Sequence, residues 1–84
     1  MVTYDGDLYP GIIQDVGSDS CALVKTMSRV GRNRFFWPMR EDVIWYQPKD
    51  VVRLVPEPQQ VTKRHMMLDP TVWAEICSAL DYEG

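Results

Sequence analysis

The sequence predicts a mainly β domain with one C-terminal α-helix, and three observations carry that prediction. Five short runs rich in β-branched and aromatic residues occupy the first 55 or so positions, separated by turn clusters of Gly, Pro, Asp and Ser. Pro56-Glu57-Pro58 then closes the sheet region, because prolines this close cannot sit in a central strand. Beyond them, Asp69-Pro70 opens an apolar stripe of helical period. Five short strands joined by tight turns suit a small barrel or strongly bent sheet, which manages exposed edges better than a flat one.

Taken in order, Val2-Thr3-Tyr4 reads as a strand, and Asp5-Gly6-Asp7 as a turn. Residues 8–16 form the second strand, broken near its start by Pro10-Gly11. Gly17-Ser18-Asp19-Ser20 turns the chain into a third strand over 21–27. Residues 28–34 hold Gly31 and Asn33 with little apolar content, and are expected as a loop or a strand end. Phe35, Phe36 and Trp37 stop at Pro38. Residues 43–46 are a strand by composition, 47–50 a turn or a single turn of 3₁₀ helix, and 51–55 the last strand. The expected domain plan is a β unit over 1–56, a linker over 57–68, and a helix with its tail over 69–84.

The helix places Val72, Trp73, Ile76, Cys77 and Leu80 on one side. About three turns of helix are not stable alone. The stripe is therefore expected either to cap the sheet or to form a partner or homodimer surface through Val72, Trp73, Ile76 and Leu80, with Trp73 as anchor.

Composition narrows the function. The chain has 84 residues, enough for one domain, with 45% hydrophobic and 25% charged content. A net charge of -3 argues against a surface wholly given to nucleic acid. Cys21 and Cys77 lack CxxC spacing and are expected as reduced thiols; the single His65 completes no metal set. No nucleophile motif or phosphate loop is present, so no enzyme activity, metal or cofactor is expected. No long apolar run occurs, and no membrane association is expected. A strand-like start directly after Met1 suggests a domain of a longer protein, in cytosol or nucleus.

Residues 34–46 concentrate the aromatic content: Phe35, Phe36, Trp37, Trp45 and Tyr46, five rings in thirteen positions. Either they build a ring-rich core or some of them bind a ligand. The same region carries a basic run, Lys25, Arg29, Arg32, Arg34 and Arg40, with no acidic residue between 25 and 40. Interleaved with rings, it is a candidate nucleic-acid contact; the alternative is a solvated loop.

The run Tyr4-Asp5-Gly6-Asp7-Leu8-Tyr9-Pro10-Gly11-Ile12-Ile13 resembles the opening hairpin of Tudor-type domains, which are five-stranded SH3-like barrels. Trp37-Pro38, Asp42-Val43-Ile44-Trp45-Tyr46 and Asp50-Val51-Val52 are similar to a small Tudor-like module near the C-terminus of transposon-derived animal proteins. The resemblance spans residues 2–56. The Asp-Tyr-Gly that often follows the third strand is replaced here by Met27-Ser28-Arg29-Val30-Gly31. The resemblance implies a chromatin or nuclear setting and a cage of aromatic faces for methylated lysine or arginine, such as that of a histone tail. The cage candidates are Tyr4, Tyr9, Phe36, Trp37 and Tyr46, with Asp42 as acidic partner. After Pro38 divides residues 34–46, Phe36 and Trp37 are the rings most expected to be free for a ligand.

Overall fold

The computed structural model describes residues 1–82. It is mainly β: nine strands in three sheets, followed by one helix. The first sheet pairs β1 (Val2–Tyr4) with β2 (Asp7–Tyr9). Asp5 and Gly6 join them at φ 51° and 84°, the two positive values that a tight hairpin of primed type requires. Pro10 ends the ladder, and the chain continues as β3 (Gly11–Val16), β4 (Ala22–Thr26) and, later, β7 (Asp42–Tyr46). These form an antiparallel sheet ordered β3-β4-β7. Gly11 lies so close to β4 that an added Cβ would sit 2.6 Å from the Lys25 carbonyl oxygen and 2.7 Å from Val24 Cγ1. Any side chain there would push the two strands apart.

The third sheet departs from expectation. Residues 28–34, expected as a loop or strand end, form β5 (Ser28–Gly31) and open a hairpin with β6 (Arg34–Phe36). The predicted linker, 57–68, is not a passive connector. It contains β8 (Gln59–Gln60) and β9 (Met66–Met67), giving the order β5-β6-β9-β8. Asn33 turns the hairpin at φ 51° and reaches across to residue 68: its Nδ2 donates to the Leu68 carbonyl (3.0 Å), and the Leu68 N–H donates to its Oδ1 (2.9 Å).

The predicted last strand, 51–55, does not form as a strand. Only Val51 bridges, to Val2, while the Val52 N–H donates to the Met1 carbonyl at 2.9 Å. A 3₁₀ turn (Pro48–Asp50) precedes this segment, and Pro56 and Pro58, which lack N–H donors, follow it. The segment lies against the chain start without extending a ladder. Among the described residues the strand count is therefore nine rather than five, and the three sheets are not closed on one another.

Helix α1 (Pro70–Leu80) starts at Pro70, directly after Asp69, where the sequence predicts it. The Asp69 carboxylate accepts from the N–H groups of Thr71 (2.8 Å) and Val72 (3.4 Å), and Pro70 fills the first helical position. Asp81 caps the far end in the left-handed conformation, and the Tyr82 N–H returns to the Cys77 carbonyl (2.8 Å). The stripe is used inside the chain. Trp73, Ile76 and Cys77 join Leu8, Met27, Phe35 and Leu68 in the larger apolar core. Phe35 is fully buried and meets Trp73 edge-on at 5.9 Å. A smaller core gathers Val2, Ala22, Val24 and Tyr46.

Candidate functional site

Strand β7 lines a cleft with one of its two faces. Alternation sends Asp42, Ile44 and Tyr46 to one face and Val43 and Trp45 to the other. The first face, with Tyr4 and Tyr9 from the opening hairpin, borders a cleft of about 360 Å³. The segment from Thr26 to Arg29 completes its lining. The β1-β2 turn and β7 are about forty residues apart in sequence, and the fold sets three tyrosines from the two elements around one opening.

The three rings differ in burial. Tyr46 is 5% exposed and belongs to the smaller core; Tyr4 is 57% exposed; Tyr9 lies between. Burial, with Asp7 next, raises the Tyr9 hydroxyl above its ordinary pKa, and burial likewise raises Tyr46. Both rings therefore carry neutral hydroxyls at physiological pH. Asp42 is exposed at the edge of the cleft, and its carboxylate has no ion-pair partner among the described residues. The Asp42 carbonyl accepts from Thr26 Oγ1 at 3.3 Å, which fixes the strand end that carries it.

Arg29, a cleft residue, is held from outside. Its Nη1 donates to Asp7 Oδ1 at 2.9 Å and to the Tyr82 hydroxyl. That hydroxyl donates in turn to Asp7 Oδ1 (2.9 Å), and the guanidinium lies 5.6 Å from the Tyr82 ring centre. Asp7 pairs with Arg29, and among the described residues Asp42 is the cleft carboxylate without an ion-pair partner.

Phe36 and Trp37, the rings most expected to be free for a ligand, are not part of this cleft. They border a separate hollow with Met39 and His65. Lys25 Nζ stands 5.1 Å over the Trp37 ring and also pairs with Glu41 at 3.2 Å, so one face of that indole already has a cation. Phe36 lies 6.2 Å from the His65 ring. The basic run is likewise divided. Lys25 and Arg29 are engaged internally, while Arg32, Arg34 and Arg40 are exposed. On the helix, Trp73 and Ile76 are buried within the chain, Val72 is half-buried, and Leu80 is exposed. The anchor expected for a second copy is thus spent on the protein's own core.

Sequence reasoning did not single out Met27, Ser28 or Ile44 as neighbours of the three tyrosines. The available signal was the alternation along β7, once Tyr46 is taken as part of the site. Cys21 and Cys77 are both free, and no cluster of metal-binding side chains occurs among the described residues. Among those residues, no helix is long and apolar enough to cross a membrane. The chain matches no known family model, no curated protein and no solved structure.

Proposed function

We propose that this chain is a non-enzymatic binding module that takes a methylated lysine or arginine of a protein segment into the cleft of Tyr4, Tyr9, Tyr46 and Asp42. The observation that carries the reading is the convergence of three tyrosines and one uncommitted carboxylate on one opening. A methylated ammonium is weakly hydrated, and each ring face attracts it by roughly 0.5–2 kcal/mol. Asp42 adds charge complementarity at the edge. The resemblance of the opening hairpin to Tudor-type domains supports the same reading, with a histone tail in the nucleus as the natural setting. A Tudor-type barrel belongs to this proposal; the Val2–Val51 bridge, which ties the 51–55 segment to the first strand, favours it.

Calorimetric titration of a histone-tail peptide panel, each peptide unmodified and methylated at one lysine or arginine, tests the proposal. The methylated form of at least one peptide binds tighter than its unmodified form, and Tyr4→Ala weakens that binding by about tenfold, equivalent to one strong ring contact. Equal binding of all forms, or none, would remove the reading.

A further inference from the structure

The second hollow, about 550 Å³ beside Phe36, is built differently from the tyrosine cleft. Its apolar part is Val30, Phe36, Trp37, Met39 and Met66, with Val30 at 52% and Met39 at 99% exposure. Its basic part is Lys63, Arg64 and His65, from the turn between β8 and β9. That turn is internally braced. The N–H groups of Arg64 (3.3 Å) and His65 (3.0 Å) donate to Thr62 Oγ1, and the Val61 N–H donates to the His65 carbonyl (2.8 Å). Lys63 and Arg64 thus stand at a fixed tip, exposed and with no ion-pair partner among the described residues. Among the described residues, no carboxylate lines the hollow.

We infer that this hollow docks a short acidic peptide segment carrying one aromatic or large aliphatic anchor. The anchor covers Phe36, Val30 and Met39, whose flexible thioether side chain adapts to varied shapes. The flanking carboxylates face Lys63 and Arg64. Charge selects this occupant over a nucleic-acid strand. The chain's net charge is -3, which opposes the approach of a long polyanion as a whole. Charge acts over only about 8 Å at physiological ionic strength. A short acidic segment keeps its carboxylates within that distance of Lys63 and Arg64. Trp37 also offers little to a stacked base, because Lys25 stands over its ring.

The test titrates ¹⁵N-labelled protein with a short Glu/Gly peptide bearing one central Phe, with the same peptide bearing Ala in its place, and with single-stranded oligothymidylate. The Phe peptide shifts the amide signals of Phe36, Met39 and His65. The Ala peptide binds about tenfold more weakly, as expected for loss of a buried anchor. Lys63→Glu/Arg64→Glu and Met39→Ser, all at exposed positions, weaken the Phe peptide, while Tyr4→Ala leaves it unchanged. The inference is overturned if those three signals stay still at millimolar peptide, if the shifts map to the tyrosine cleft, or if oligothymidylate binds more tightly.

Discussion

Asn33 does work that its neighbours in sequence do not announce. It adopts a left-handed conformation that Asn tolerates better than most residues, and its amide satisfies both backbone groups of a buried leucine 35 positions later. Replacing it with Ala leaves two buried backbone groups unpaired and strains the turn. Asn33→Ala is expected to cost about 2–5 kcal/mol, read as a fall in the urea midpoint. The cleft tyrosines separate in a parallel way. Tyr46→Ala removes a core ring and should cost about 3 kcal/mol or more, whereas exposed Tyr4→Ala should stay within about 0.5 kcal/mol while weakening the ligand. Tyr9, Tyr46 and Tyr82 all have hydroxyl pKa values raised by burial, and for Tyr82 the hydrogen bond to Asp7 adds to it. Between the unfolded value near 10 and the higher folded values, the unfolded chain has lost protons that the folded chain keeps. The resulting stability is fully present below pH 10 and falls as pH rises beyond it. Denaturant midpoints measured on either side of pH 10 check the sign: the midpoint drops on the alkaline side.

At the scale of elements, the helix was legible because every signal was local: an Asp N-cap, Pro at the first position and one apolar stripe. The same helix separates packing from assembly. Trp73→Ala should destabilise the fold by about 3–5 kcal/mol and leave the oligomer mass unchanged, since the indole packs on Phe35 and Tyr82. The indole N–H is buried without a hydrogen-bond partner among the described residues, so Trp73→Phe removes an unmet donor along with some ring volume. Thermal melts should place it far nearer the native protein than Trp73→Ala. The third sheet was illegible for the opposite reason. The turn at Asn33 depends on contacts with residue 68, β9 meets β6 through the single pair Phe35–Met66, and no window of sequence contains both partners. The 51–55 run misled in the other direction. Its valines have strand composition, but strand formation needs a partner edge, and only Val51 finds one.

Across the whole molecule, Arg29, Asp7 and Tyr82 tie the first hairpin and β5 to the residues just past the helix. The helix end thereby helps to hold a wall of the tyrosine cleft. Tyr82→Phe should cost about 1 kcal/mol of stability through the lost hydroxyl bonds. The candidate site was partly legible. Tyr4, Tyr9, Tyr46 and Asp42 are named with Phe36 and Trp37 through the resemblance to Tudor-type domains, but their separation from Phe36 and Trp37 depends on which way β7 faces. Alternation gives two faces without saying which one meets the hairpin. The measurement that bears most directly on the central claim is an amide-shift map during titration with a methylated peptide from the panel. The perturbed signals are expected to cluster at Tyr4, Tyr9, Asp42 and Tyr46, with Phe36 and Trp37 unmoved. Perturbation confined to Phe36 and Trp37, or none at the three tyrosines, would contradict it.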